Sequence, residues 1–503
     1  MTAGDSLPAS SEGPLPPPGP GEGRGLLANS TALVASRLVV AALGWGGMVL
    51  IAQRLSLAEF GRFSFVFGLL GLMSIITGFG IGRVVLAALV RDERDTLDFA
   101  GAYVGLRIVL GLMGYSLAMA VVLLGGYPDS VVRATAVAGM VVVIATPSRA
   151  LDALFQARMR LAAVAVADVM GQTAQLGCTV AIAFWRPSLI WFTVPFVVND
   201  VIGLFWKASR LGVLRPRPRV DWALWRVMLV DAVPLAIGTA LSTLYYKVDL
   251  VMLSRLDTFE SVGVYAIGYK FADVVVLLAV AVLTPTATML VRAWPDDVDE
   301  FRAVCRRVAT LFAVAAVFLA IQFVVLAETA IGLLYGEKYV KGADAARLVV
   351  TGATIHIFVL LGYTSMVSAG KQRVYPLVTL AGLALNVSLN LVLIPAMSYQ
   401  GAALATLLTE VVVLCAMWWA VTRTTGVRGL VPMRPVLGTL GSGGVALGAG
   451  LATELVAPWP VVAAAVALVF LGGLQISGVL GEVKQLKLSR RAGTATEGDP
   501  GAG

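Results

Sequence analysis

About fourteen apolar stretches of roughly 18–27 residues follow one another from Ala28 to Gly481, with short polar turns between them. Each is long enough to cross the hydrocarbon of a bilayer as a helix. With 58% of its 503 residues hydrophobic and 14% charged, the chain has more apolar surface than a water-soluble core can bury. In lipid the backbone satisfies its polar groups only within helices or closed barrels, and long apolar runs without alternation fit helices. The fold class is therefore all-α and integral to the membrane.

The spans fall near residues 28–52, 63–89, 101–125, 131–151, 162–185, 188–206, 227–253, 263–291, 305–327, 344–369, 375–395, 400–421, 435–456 and 460–481. Residues 1–27 and 482–503, polar or rich in Pro, Gly and Ser, read as disordered tails, the first of them not a cleaved signal peptide. Cys178, Cys305 and Cys415 lie in or beside spans and form neither a disulfide framework nor a metal-ligand spacing, and no cofactor is implied. The net charge of +8 sorts by side: roughly 24 Lys and Arg fall in the even-numbered connections and the tails, Lys207 among them, against about eight in the odd-numbered ones. Both termini are therefore expected in the cytoplasm of a cell with this protein in its plasma membrane, and the charge calls for no nucleic-acid partner.

A basic linker at 211–226, with Pro216 and Pro218, separates a first lobe at 28–210 from a second at 227–422. After the first helix of one lobe comes Arg54-Leu55-Ser56-Leu57-Ala58-Glu59-Phe60-Gly61-Arg62-Phe63. After the first helix of the other comes Arg255-Leu256, then Glu260, Gly263 and Tyr265. A basic turn, Gln156 to Arg160 and Gly370 to Arg373, follows the fourth helix of each. An even number of helices per unit gives both the same orientation, which makes them parallel repeats suited to alternating access. Helices 13 and 14, at 435–481, lie outside the repeat and are expected to pack or to line a groove for a lipid tail.

Residues 370–410 run Gly-Lys-Gln-Arg-Val-Tyr-Pro, a helix with Asn386 and Asn390, Leu393-Ile394-Pro395, then Gly401-Ala402-Ala403-Leu404-Ala405-Thr406 and Glu410. This pattern resembles the oligosaccharide flippases, the polysaccharide-exporter branch of the multidrug/oligosaccharidyl-lipid/polysaccharide superfamily. Arg54 to Phe63, Asp249 to Lys270 and Leu334-Tyr335-Gly336-Glu337-Lys338-Tyr339 agree with it, and the resemblance spans about 28–422. It implies two six-helix lobes in a V, a central cavity open to each side in turn, and a polyprenyl-pyrophosphate-linked glycan as cargo. Glycosyltransferases and a polymerase of the same pathway are the implied partners, beside membrane lipid.

An ionisable group deep in a membrane is costly and usually faces a cavity or a partner. The cations inside the spans are Arg37, Arg83, Arg107, Arg149, Lys247 and Lys270; the acids are Asp168, Asp200, Asp231, Asp249, Asp273 and Glu410. Arg37 lies roughly 13 Å from the end of its helix, and Arg83 and Arg107 about 10 Å from the same side. Forked guanidinium donors match phosphate oxygens, so these three are the expected pyrophosphate-capture site. Lys247, Asp249, Lys270 and Asp273 form either a cavity wall or a structural ion-pair set, with Lys270 and Asp273 on one helix face. Asp168 and Glu410 are candidates for ion coupling, and His356, the one histidine, for a proton relay.

The expected activity is translocation of undecaprenyl-pyrophosphate-linked oligosaccharide from inner to outer leaflet for cell-surface polysaccharide synthesis. A peptidoglycan lipid-precursor flippase and a drug/cation antiporter of the same superfamily are the alternatives. An enzyme is not expected, because the longest connections, about 15–20 residues, offer no carboxylate pair or nucleophile–base arrangement.

Overall fold

The computed structural model describes residues 20–78, 80–91, 96–158, 160–211, 216–479 and 481, and side-chain positions only for part of these. Of the expected tails, residues 1–19 and 482–503 lie outside the described residues, whereas 20–27, expected as tail, are the start of the first helix. Fifteen helices follow in order: α1 (Pro20–Arg54), α2 (Leu57–Gly78), α3 (Ile81–Arg91), α4 (Thr96–Leu124), α5 (Asp129–Ala138), α6 (Met140–Ala157), α7 (Leu161–Trp185), α8 (Val194–Leu211), α9 (Trp222–Leu256), α10 (Phe259–Ala293), α11 (Val298–Tyr335), α12 (Ala343–Ser368), α13 (Tyr375–Thr425), α14 (Met433–Glu454) and α15 (Trp459–Ile476). No strand occurs among the described residues. Ten of the described helices are long and apolar enough to cross a bilayer, or up to eleven with the pair Trp222–Val233 and Ala236–Leu256, bent by 62°, taken as one span. The bend falls at Pro234, a residue without a backbone N–H.

Each expected span coincides with a helix or part of one. The second is interrupted between α2 and α3, and the fourth at Gly139 between α5 and α6. The eleventh and twelfth are both contained in α13, which breaks at Ser398, a non-glycine residue with φ 57°. A Cβ on Gly382 would meet Val413, and one on Gly401 would meet the Leu393 carbonyl. Residues at similar distances on either side of Ser398 thus touch, so α13 is a hairpin of two spans. The expected linker is shorter than 211–226: Asp221 caps α9 by accepting from the Leu224 N–H (3.1 Å), and the Arg219 N–H donates to the Gly101 carbonyl (3.1 Å).

Two bundles result. Helices α1 to α8 pack on one another, α9 to α13 do likewise, and α14 and α15 lean on α11. The bundles meet chiefly where α2 crosses α10 and α9. Here the repeated motif has its physical meaning. Arg-Leu ends one helix; Ser56 and Glu59 then form a capping box for α2, Ser56 Oγ accepting from the Glu59 N–H (3.3 Å) and Glu59 Oε2 from the Ser56 N–H (3.1 Å). In the second copy Thr258 Oγ1 accepts from the Ser261 N–H at 3.3 Å. The two glycines of the motif then face each other. A Cβ on Gly61 would stand 1.7 Å from the Phe259 carbonyl oxygen, and one on Gly263 2.4 Å from that of Leu57.

Around this crossing each bundle grips the other's first helix. Lys338 Nζ donates to the Gln53 carbonyl (3.0 Å) and to that of Leu55, and Tyr339 Oη to that of Ala52 (3.0 Å). These are the carbonyls that the end of α1 leaves unpaired, which suits a cation there. In the other direction Arg255 donates to the Gly125 carbonyl (2.7 Å) and lies 3.7 Å from the Tyr127 ring centre, while the Tyr127 and Ser254 hydroxyls are 3.3 Å apart. Tyr127 and Tyr339 both follow the third span of their bundle. We call this the turn end of the molecule, and the opposite one the linker end.

Because the crossing has no room for a side chain, Gly61→Ala and Gly263→Ala are each expected to cost about 1–3 kcal/mol, the usual penalty of overpacking. Gly46→Ala on α1, with nothing within 4 Å of its added Cβ, serves as the control. Thermal unfolding in mild detergent checks this, and equal melting temperatures for all three variants would contradict it.

Candidate functional site

Between the bundles lies a cavity of about 590 Å³. The first bundle contributes Gly71 and Ser74 from α2 and Arg149 from α6; the second contributes Ser242, Tyr245, Tyr246 and Lys247 from α9, Tyr269 and Asp273 from α10, His356 from α12, and Asn386, Thr406 and Glu410 from α13. Lys247 reaches across to the first bundle, its Cε 3.8 Å from where a Cβ on Gly71 would stand. Arg149 and Lys247 therefore bring a positive charge from each bundle to one chamber. A second cavity of about 430 Å³, lined by Trp45, Gln172, Gln175, Asn199, Lys270 and Asp273, adjoins it through their shared Asp273.

On the wall, Glu410 is held from two sides. Its Oε2 is 2.8 Å from His356 Nδ1 and its Oε1 accepts from the Tyr245 hydroxyl at 2.9 Å. His356 Nε2 meets the Tyr246 hydroxyl. Asp249, 1% exposed, accepts from the Tyr265 hydroxyl (2.7 Å), from that of Tyr269 and from the Leu250 N–H (2.7 Å). Tyr265 also lies 3.2 Å from Thr406 Oγ1. Three donors thus satisfy this carboxylate without a lysine. Of the four residues expected to form a cavity wall or an ion-pair set, Lys270 and Asp273 face the second cavity and Lys247 and Asp273 the first, while Asp249 is held by tyrosines.

The capture-site arginines part company. Arg107, 4% exposed, donates to the Thr77 carbonyl and to that of Thr146 (3.2 Å), so its guanidinium ties α2 and α6 to α4 and does not face the cavity. Arg37 is exposed on α1 and within electrostatic range of Asp168. The Arg83 side chain lies outside the described ones. Asp168, a candidate for ion coupling, stands 3.7 Å from Lys207, which also meets Asp152 at 2.7 Å and Ser148 at 3.4 Å. Lys207 is thus not the loop cation its position suggested but a buried residue of α8, and two carboxylates make that burial tolerable.

Several lining residues went unassigned in the sequence. Arg149 was visible as an intramembrane cation without a role. Gln172 and Gln175, three apart on α7, both accept from the Asn199 amide (3.3 and 2.7 Å); their spacing on an apolar helix was the available signal. Farther out, α11, α12, α13 and α14 enclose an apolar groove of about 550 Å³, with Phe358, Trp418 and Leu447 on its walls. It lies on the face of α12 opposite His356, so α14 helps to form a groove that is separate from the polar cavity.

Two facing bundles of helices long and apolar enough to cross a bilayer, with a polar cavity between them, define a multi-pass membrane protein. The chain belongs to the polysaccharide biosynthesis protein family, whose family model matches residues 50–344. No curated protein matches it in sequence. Among solved structures it is similar to a lipid II flippase MurJ in an inward closed conformation (TM-score 0.72, 12% identity, covering 89% of this chain and 98% of that one). It is also similar to an inward-facing multidrug resistance MATE family transporter (0.65, 12%, 78% and 96%). A third likeness is to a transporter of the same superfamily from Pyrococcus furiosus, noted for the reverse polarity of its binding pocket (0.55, 13%, 78% and 94%). At such identities the likeness concerns the fold alone.

If Asp249 is held by tyrosines, Asp249→Ala strands two buried hydroxyls and costs roughly 3 kcal/mol, whereas Lys270→Met costs less and the two effects add. A double-mutant cycle on thermal stability measures this; a coupling energy of 1 kcal/mol or more would restore the ion pair.

Proposed function

We propose that this protein flips a polyprenyl-pyrophosphate-linked oligosaccharide, in bacteria carried on undecaprenyl, from the inner to the outer leaflet of the plasma membrane by alternating access. The observation that carries the reading is the chamber in which Arg149 of one bundle and Lys247 of the other face the same space. A pyrophosphate bridging them binds both bundles at once, and Arg supplies forked donors for its oxygens. Ser242, Thr406 and the amide cluster Gln172, Gln175 and Asn199 offer the neutral hydrogen-bonding groups that a glycan needs. Arg37 and Arg83 are the proposed first contacts on entry; Arg107 is left out because it binds the carbonyls of Thr77 and Thr146 and does not line the cavity.

In this reading both termini are cytoplasmic, the linker end faces the cytoplasm, and the enzymes that build and polymerise the glycan act on either side. The apolar groove beside α14 supports a lipid-borne cargo. The pyrophosphate is common to lipid-linked glycans, including the peptidoglycan precursor, and the cargo's sugars remain for experiment to name.

Depletion of the protein in cells, with each leaflet assayed separately, is expected to raise polyprenyl-pyrophosphate glycan on the cytoplasmic side. Arg149→Gln with Lys247→Gln is expected to do the same at normal protein level, with transport lowered at least tenfold. Unchanged lipid-linked pools beside raised sensitivity to cationic drugs would favour the antiporter instead.

A further inference from the structure

His356 and Glu410 are both buried, yet both reach the cavity wall. They join three helices of the second bundle: α12 supplies the imidazole, α13 the carboxylate, and α9 the two tyrosines that complete their hydrogen bonds. Every polar atom of the pair is occupied. With a neutral imidazole, Nδ1–H donates to Glu410 Oε2 and the Tyr246 hydroxyl donates to Nε2. With an imidazolium, both nitrogens donate, Nε2–H now to the Tyr246 oxygen. The same atoms in the same places accommodate either state, so one proton can be added without breaking the network.

The charges around the pair decide what adds it. Tyr245, Tyr246 and Lys247 face it from α9, Tyr269 and Asp273 from α10, and Arg149 from α6; Tyr375 bonds to Ser242 beside them (2.9 Å). Helices α11 and α14 lie on the other side of α12, across the apolar groove. Arg149 and Lys247 stand there against Asp273, Glu410 and, behind Tyr269, Asp249. A pyrophosphate group brings at least two negative charges into that space, and a proton on His356 offsets one of them.

We propose that His356 and Glu410 form a proton-binding site linked to anion occupancy of the cavity, so that loading a phosphate-bearing headgroup draws one proton onto the imidazole. The proposal rests on the reading of the chamber as a pyrophosphate site. The proton enters over Tyr246: its oxygen takes a proton from the cavity as the hydroxyl passes its own to His356 Nε2, and release reverses the two transfers. By linkage, protonation tightens anion binding by the same factor by which the anion favours protonation. Two unit charges about 10 Å apart at an effective dielectric constant of about 20 make that factor roughly tenfold.

Because His356 is the one histidine in the chain, histidine labelled with nitrogen-15 gives the full-length protein a single ring-nitrogen signature, free of overlap. Its shift is followed against pH in nanodiscs, with and without inorganic pyrophosphate, and phosphorus-31 line broadening reports pyrophosphate binding independently. The expected result is a ring-nitrogen response to pH whose midpoint rises by about one unit with pyrophosphate, a tenfold linkage. His356→Gln, whose amide can meet both Glu410 and Tyr246, is expected to bind pyrophosphate with an affinity that no longer varies with pH. Phosphorus broadening with an unmoved midpoint, or a histidine that does not titrate, overturns the linkage alone. Absence of broadening at every pH overturns the pyrophosphate reading and takes the linkage with it.

Discussion

The approach of Gly61 to the Phe259 carbonyl and of Gly263 to that of Leu57 is the contact on which the arrangement of the two bundles depends. Lipid tails are as apolar as leucine, so helices in a membrane gain little from burying apolar surface against each other. What holds them is close packing, and glycine lets main chains come nearest. At this crossing the repeated motif meets its own copy. The cap that starts each helix, the glycine that lets it cross and the tyrosine that grips the opposite first helix form one symmetric clasp.

The cavity is a consequence of the clasp. With α2 held against α10 at the turn end, the helices leave room for Arg149 and Lys247 to face one space from opposite bundles. Charges that would be costly in lipid are tolerated because they line a chamber or have partners: Lys207 with Asp152, Asp249 with Tyr265, Glu410 with His356. In the proposed reading, cargo that bridges Arg149 and Lys247 pulls on both bundles, which couples occupancy to their relative position.

The helices were legible in the sequence because the bilayer permits little else; continuous hydrophobicity reports them directly. The parallel echo at Arg54 and Arg255 was legible too, since caps and crossing glycines obey local rules. The site was less so. Depth along a helix can be counted, but which way a side chain faces depends on neighbours far away in sequence. Arg107 and Arg149 looked alike as buried arginines, and only packing separates the one that binds carbonyls from the one that faces the chamber. Asp249 was matched to lysines by charge, whereas Tyr265 and Tyr269 on the next helix satisfy it, a neutral solution that a search for opposite charges passes over. Lys207 was misplaced for the same reason, its carboxylates lying on α6 and α7.

The central claim is that the two bundles pivot about the clasp to expose the cavity to each side in turn. Electron–electron distance measurements on spin-label pairs test it most directly, one pair at Asp129 and Glu337 across the turn end and one at Arg160 and Arg373 across the linker end. The account predicts opposite changes on adding lipid-linked cargo, one pair separating as the other closes. Both distances unchanged in protein that is actively transporting would contradict it.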